Sequence, residues 1–241
     1  MSGPLSAARR APPPLASGAP AAVATYPAEV PWDLLQGLQP VDLQRVLAGA
    51  RRRRFGRGEV LFHEGDPGAT LHLVDKGRVA VRVTTPLGEV AMVDLLVPGD
   101  VVGELALLSP EGRRGATAVA LEATETLAID AEAFSALRAR DPTVTDFLVQ
   151  LLTARIHRLT ERLLEALYVP ADVRLLRRLL ELSATYGNVI PLTQEDLAGL
   201  AGTTRATVNR VLRREEKGGT LTLRRGRVAL VDQESLARRA R

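Results

Sequence analysis

Cysteine is absent from the 241 residues. That removes disulfides, thiol-based redox sensing and cysteine-ligated iron–sulfur clusters from consideration. Aromatic residues are scarce, at 3%, so a core must be built mainly from Leu, Val and Ala. No run of about 18 apolar residues occurs, and no transmembrane helix or membrane association is expected. Histidine is nearly missing too. His63, His72 and His157 show no metal-ligand spacing and read as surface or packing residues. A metal-dependent barrel enzyme needs a His/Glu cluster on adjacent strands, which His63 and His72 do not supply, so the chain reads as a non-enzyme.

What is present is ordinary for a globular chain: 46% hydrophobic and 25% charged residues, with room for two modest domains. The net charge of +4 is unevenly placed. Residues 170–241 carry 14 Lys/Arg against 8 Asp/Glu, a net +6 that leaves −2 for everything before them. A basic C-terminal third points to a polyanionic partner.

The first 28 residues are Pro/Ala-rich without helical or strand periodicity, and read as a disordered arm. Arg9 and Arg10 precede small residues as in a signal peptide, but Pro12, Pro13, Pro14 and Pro20 interrupt any apolar core of one. Residues 32–50 suit one or two short helices. After Arg51–Arg54, short Val/Leu segments alternate with glycine turns, which predicts an all-β unit with strands near 71–74, 79–83, 90–96, 116–121 and 126–129. Helical periodicity then takes over. Leu148, Leu152, Ile156, Leu159 and Leu163 form an apolar seam along one long helix, which pairing with a twin would satisfy. Pro170 ends or kinks that helix. A further amphipathic helix over 171–186 has Val173, Leu176, Leu179 and Leu180 inward and Arg174, Arg177 and Arg178 outward, and Gly187-Asn188 stops it.

The most informative stretch is Leu192-Thr-Gln-Glu-Asp-Leu-Ala-Gly-Leu-Ala-Gly-Thr-Thr-Arg-Ala-Thr-Val-Asn-Arg-Val-Leu212. Thr193 and Asp196 suit a capping-box start. Leu197, Leu200 and Ala201 make an apolar face, and Gly202 supplies the tight turn. Thr204 caps a second helix whose Val208, Val211 and Leu212 pack inward. Arg205, Thr207, Asn209 and Arg210 then lie on or beside its outer side. Arg suits guanine, Asn suits adenine, and Thr suits phosphate or a thymine methyl. Arg213, Arg214 and Lys217 extend the basic stripe. Residues 220–223 and 228–231 form a hairpin resembling a wing, with Arg224, Arg225 and Arg227 at its tip.

Four segments make a resemblance specific: Gly65-Asp66 after Leu61-Phe-His-Glu64; Leu73-Val-Asp-Lys-Gly-Arg-Val79; Pro98-Gly-Asp-Val-Val-Gly-Glu-Leu-Ala-Leu-Leu108; and Arg114-Gly-Ala-Thr117. With the long helix and the helix-turn-helix following in order, the chain from Trp32 to Asp232 resembles the cyclic-AMP receptor protein/FNR family. The resemblance implies an α+β architecture: a Pro/Ala-rich arm (1–28), a cyclic-nucleotide-binding β-roll or jelly roll (29–141), a dimerisation helix (142–169) and a winged helix-turn-helix domain (170–241).

By the same resemblance, Glu104 accepts from a ribose hydroxyl and Arg114 pairs with a cyclic phosphate. Gly103, Leu105, Gly115, Ala116 and Thr160 complete the ligand-binding set, with 3',5'-cyclic AMP as the expected allosteric ligand. The alternative at this point is a Glu104–Arg114 salt bridge in a pocket without ligand. DNA contact falls to Thr193, Thr203, Thr204, Arg205, Thr207, Asn209 and Arg210, on a near-palindromic operator read by a homodimer. RNA polymerase as a partner, an activator role and a cytoplasmic location are further implications. The sequence departs from the family pattern at three places. Gly115 stands where a small hydroxylic residue follows the pocket Arg, Leu159-Thr160 stands for a Thr-Ser pair, and Ala206 stands where many relatives carry Glu. Two other functions remain open: regulation without a ligand, through expression level, and a nucleotide-binding module without DNA function.

Overall fold

The computed structural model describes residues 32–35, 38–86, 88 and 90–240, so the expected arm over 1–28 lies outside the described residues. A 3-10 turn, Asp33–Leu35, and helix α1, Pro40–Gly49, lead into a roll of eight strands. These are β1 Arg51–Phe55, β2 Val60–Phe62, β3 Thr70–Lys76, β4 Val79–Thr84, β5 Val90–Leu96, β6 Val101–Val102, β7 Thr117–Ala120 and β8 Thr124–Asp130, with a short helix α2, Glu104–Leu108, between β6 and β7. They form two antiparallel sheets of order β1-β8-β3-β6 and β2-β7-β4-β5. Val74, Val79, Leu96, Val102 and Ala118 form one buried cluster of the roll. Leu71, Leu73, Leu127 and Ile129 instead meet Trp32, Phe134, Val144 and Leu148 of the helices. The Trp32 indole N–H donates to the Val74 carbonyl at 2.8 Å, so the one tryptophan is both buried and satisfied.

Helix α3, Ala131–Arg140, precedes helix α4, Pro142–Tyr168, whose 27 residues span roughly 40 Å at 1.5 Å per residue. Asp141 caps α4 and Pro142 opens it, where the missing N–H costs nothing. The expected seam needs one correction. Leu148 is buried, at 3% exposure, in the core beneath the first turns of α4. The open apolar stripe starts one residue later, at Val149, and continues through half-buried Leu152 to Ile156, Leu159, Leu163 and Leu167. Packing against the roll claims the 144/148 face. The stripe that is left steps by three and four residues, the heptad spacing of a paired helix.

The C-terminal unit comprises α5 Ala171–Tyr186, β9 Val189–Ile190, α6 Gln194–Ala201, α7 Arg205–Lys217, β10 Leu221–Arg224, β11 Arg227–Leu230 and α8 Gln233–Arg239. Its three strands lie in the order β10-β11-β9. Leu175, Leu176, Leu179, Leu197, Val208, Val211 and Leu212 form its core. Arg178 is a second correction. It is buried rather than outward, and ion-pairs with Glu165 of α4 and Glu181. Arg174 likewise turns to backbone, donating to the carbonyls of Val169 and Ala201. These arginines tie α5 to the end of α4 and to α6.

The two units share a core. Ala80 of β4, Met92 of β5 and Leu121 pack into the same cluster as the α5 and α6 leucines. At Gly199 the backbone of α6 comes so close to β5 that a Cβ would stand 3.0 Å from the Met92 nitrogen.

Candidate functional site

A cavity of about 300 Å³ opens between β4, β5, the α2 turn and α4, at the lower end of the range for small-ligand pockets. Its walls are largely apolar, from Phe62, Val81, Val83 and Val93, and its charged groups are few: Asp94, Glu104, Arg114, Arg155 and Arg158. Of the sequence-expected set, Gly103, Glu104, Leu105, Arg114, Gly115 and Ala116 all line it. Thr160 does not. It is exposed and its hydroxyl donates to the Ile156 carbonyl one turn back, at 2.9 Å.

Arg114 is buried, at 5% exposure, and held on three sides. Nη1 donates to the Gly103 carbonyl at 2.9 Å and Nη2 to the Thr70 carbonyl at 2.6 Å, while the guanidinium carbon stacks 4.1 Å from the centroid of the Phe62 ring. A side chain on Gly103 (φ 91°) would overlap this guanidinium, so only glycine fits there. Burial lowers the Arg114 pKa, opposed by the charges of Glu104 and Asp66. Nε of Arg114 is buried without a hydrogen-bond partner, and so is Nε of Arg155. Three arginines, Arg114, Arg155 and Arg158, on the lining of one cavity suit an anionic ligand rich in acceptors.

Glu104, at 1% exposure, does not pair with Arg114. It accepts from Arg155 of α4, which also donates to the Val101 carbonyl at 2.6 Å. Burial raises the Glu104 pKa and the charge of Arg155 pulls it back. Asp94 lies 3.8 Å from Arg155 and 3.6 Å from Arg158. The expected salt-bridge alternative is thus replaced by a chain Glu104–Arg155–Asp94–Arg158 that clamps α4 to the pocket. Sequence reading missed Arg155 and Arg158. Their signal was spacing alone: four residues and one residue before Leu159, which itself reaches the cavity.

The second site lies on α6 and α7. The Thr193 hydroxyl accepts from the Asp196 amide at 3.1 Å and the Asp196 carboxylate accepts from the Thr193 amide at 3.0 Å, a complete capping box. Gly202 (φ 57°) turns the chain in the left-handed region, and Thr204 caps α7 by accepting from the Thr207 amide at 3.2 Å. With Val208, Val211 and Leu212 buried, Arg205, Ala206, Asn209 and Arg210 are exposed. Thr203 and Thr207 are half-buried at the turn, and Thr193 is exposed beside them. Asn209 bonds Gln194 at 3.2 Å. The wing-tip residues Arg224, Arg225 and Arg227 are exposed as well.

Among the described residues, no group of His, Asp and Glu is arranged to hold a metal ion. His63 and His157 are exposed, and His72 is buried. No helix among them is long and apolar enough to cross a membrane.

Comparison with known proteins matches residues 52–141 to the family described as Cyclic nucleotide-binding domain and residues 173–239 to the Crp-like helix-turn-helix domain. The chain is 37% identical over 196 residues to the Cyclic AMP receptor protein of Thermus thermophilus, covering 81% of this chain and 90% of that one. It is 29% identical over 216 residues to a CRP-like cAMP-activated global transcriptional regulator of Mycobacterium tuberculosis, covering 86% and 96%. A solved CRP-family transcriptional regulator from Thermus thermophilus superimposes with a TM-score of 0.67 at 25% identity, covering 78% and 96%.

Proposed function

Because the chain belongs to the cyclic-AMP receptor protein/FNR family of transcription regulators, we propose that it is a homodimeric, sequence-specific DNA-binding regulator whose DNA affinity is set by cyclic AMP in the β-roll. The division of labour is an arm (1–28), a sensor (29–141), a dimerisation helix (142–169) and a DNA-binding domain (170–241). The observation that carries the reading is the outer face of α7. Arg205 and Arg210 are exposed there on a capped helix whose valines are locked inward.

In this reading Val149, Leu152, Ile156, Leu159 and Leu163 pair two chains. Arg114 faces the cyclic phosphate, with its fork pre-set by Thr70, Gly103 and Phe62, and Glu104 faces the ribose. The ligand supplies negative charge and hydroxyl donors to groups that are already buried. The same wall passes the signal on. Val81, Val83 and Val93 line the cavity, while Ala80 and Met92 of the same two strands pack against the DNA-binding unit. A change at the ligand face of β4–β5 therefore biases the seating of α6, and with it the population of DNA-competent dimers. Two α7 helices then enter successive major grooves about 34 Å apart on a near-palindrome. Arg205, Thr207, Asn209 and Arg210 meet base edges, and Thr193, Thr203 and Thr204 meet phosphates. The chain is read as a regulator with no enzymatic role, acting in the cytoplasm as an activator that contacts RNA polymerase.

The test is a binding-site selection from randomised duplex, run with and without cyclic AMP, beside calorimetric titration of cyclic AMP into the dimer. A near-palindrome whose affinity rises with cyclic AMP is expected. An absence of sequence preference removes the regulator reading. A selected site with no heat from cyclic AMP favours ligand-independent action, which the closed Glu104–Arg155 pair supports.

A further inference from the structure

The cavity has a polar end that neither Arg114 nor Glu104 occupies. Its charged groups stand in a row. Arg114 is anchored on the Gly103 carbonyl, next to Glu104, and Glu104 accepts from Arg155. Asp94 of β5 follows, 3.8 Å from Arg155 and 3.6 Å from Arg158. All of these residues line the same cavity. With Arg114 at the phosphate and Glu104 at the ribose, the far members of the row, Asp94 and Arg158, stand at the end left for the base.

Arg155 is committed to Glu104 and to the Val101 carbonyl. Arg162, further along α4, is committed to the Val93 carbonyl. Asp94 and Arg158 keep capacity to spare. Asp94 Oδ1 accepts from the Leu95 amide at 3.1 Å, but its Oδ2 meets both arginines only beyond hydrogen-bond length. Arg158 makes no hydrogen bond among the described residues, and its side chain is 46% exposed. Leu159 lines the cavity with carbon alone, and the Thr160 hydroxyl turns back to the Ile156 carbonyl. A brace for α4 would need the same two charges, but not an open edge on the cavity.

A carboxylate oxygen beside a guanidinium sets an acceptor next to a donor. One asparagine amide offers adenine the same pair, because the exocyclic amine of adenine donates and the ring nitrogen beside it accepts. Guanine carries a carbonyl oxygen in place of that amine, and a carboxylate repels it.

We propose that Asp94 and Arg158 read the base of the cyclic nucleotide, Asp94 accepting from the exocyclic amine of adenine and Arg158 donating to the adjacent ring nitrogen. The inference rests on the cyclic-AMP reading above and assigns its base specificity to this pair.

The experiment is calorimetric titration of the full-length dimer with cyclic AMP, cyclic GMP and the cyclic nucleotide of unsubstituted purine, which lacks the amine. Wild type, Asp94→Asn and Arg158→Met are compared. The wild type is expected to bind cyclic AMP about tenfold or more tighter than either of the others. Asp94→Asn presents an amide that suits the amine and the carbonyl alike, so cyclic AMP and cyclic GMP should come within about threefold of each other. Arg158→Met should weaken cyclic AMP and the purine nucleotide by the same factor, about tenfold, because both keep the ring nitrogen. If Asp94→Asn weakens all three ligands alike, or keeps the wild-type preference, Asp94 is a brace; the proposal is then overturned and the cyclic-nucleotide reading stands. A wild type that prefers cyclic GMP, or an Arg158→Met that binds cyclic AMP as wild type does, overturns it as well. No heat from any of the three ligands removes the parent reading and this one with it. Asp94→Ser, smaller and uncharged, gives the same readout should the amide variant fold poorly.

Discussion

Arg82 Nη2 of β4 lies 2.5 Å from Asp196 Oδ1 of α6. The same carboxylate accepts from the Thr193 amide and hydroxyl through Oδ2, at 3.0 Å and 2.7 Å. One buried carboxylate therefore caps the first helix of the DNA-reading pair and fastens it to the sensor sheet.

Arg82→Ala leaves Asp196 buried beside β4 without its cation. The expected result is a roughly fivefold or larger fall in the effect of cyclic AMP on operator affinity, within the usual range of couplings between sites, with cyclic AMP affinity itself little changed. Fluorescence anisotropy on operator DNA at saturating and zero ligand measures it. An unchanged ratio removes this contact from the route between the sites.

Arg114→Leu should abolish calorimetric binding of cyclic AMP, and Arg114→Lys should weaken it by about 2 kcal/mol. An ammonium cannot replace the two-pronged hold on Gly103 and Thr70 or the planar stack on the Phe62 ring. If Arg114→Lys binds like wild type, the fork geometry is irrelevant.

Arg210→Ala should cost about 1–3 kcal/mol on the selected operator and relax preference at one base pair per half-site. Equal losses across all sequences would instead mark Arg210 as a phosphate contact.

Ile156→Asp is the clean test of pairing, because Leu159 lines the cavity as well as the stripe. Ile156 is 62% exposed, so a carboxylate there leaves the monomer folded. Light scattering should show monomers, and dimers persisting at micromolar concentration would place the interface elsewhere.

His72 makes stability depend on acidity. Burial, with Arg114 and Arg53 adding to it, lowers its pKa from 6.5 to about 4. Between those values the unfolded chain binds the proton and the folded chain does not, so stability falls as pH drops from about 6.5 towards 4. The loss attributable to His72 should reach about 2 kcal/mol by pH 5. Urea unfolding of wild type and His72→Phe over this range should show a flatter profile in the variant, and parallel profiles would assign the acid sensitivity to other groups.

Short-range chemistry was legible in the residues. Thr193, Asp196, Gly202 and Thr204 specify caps and a turn through atoms at most three residues apart, and the structure has each of them. Strand β1 was not legible, because four arginines carry no apolar alternation; pairing with β8 makes it a strand. The misplaced start of the stripe has a related cause. Leu148 and Val149 are both apolar, and only the roll beneath α4 decides which one is covered.

The sequence alone determined the succession of a strand-rich unit, a long helix and a capped pair of helices, because caps, turns and hydrophobic periods act over a few positions, while Glu104 and Arg114, which line the pocket, were marked by the family resemblance of their segments. Only the tertiary structure decided that Glu104 takes Arg155 as its partner, that Asp196 is shared with Arg82, and that Arg57 stands beside the wing. These groups lie 51, 114 and 169 positions apart along the chain. No local rule couples residues at such range; two domains packed on one core bring them together.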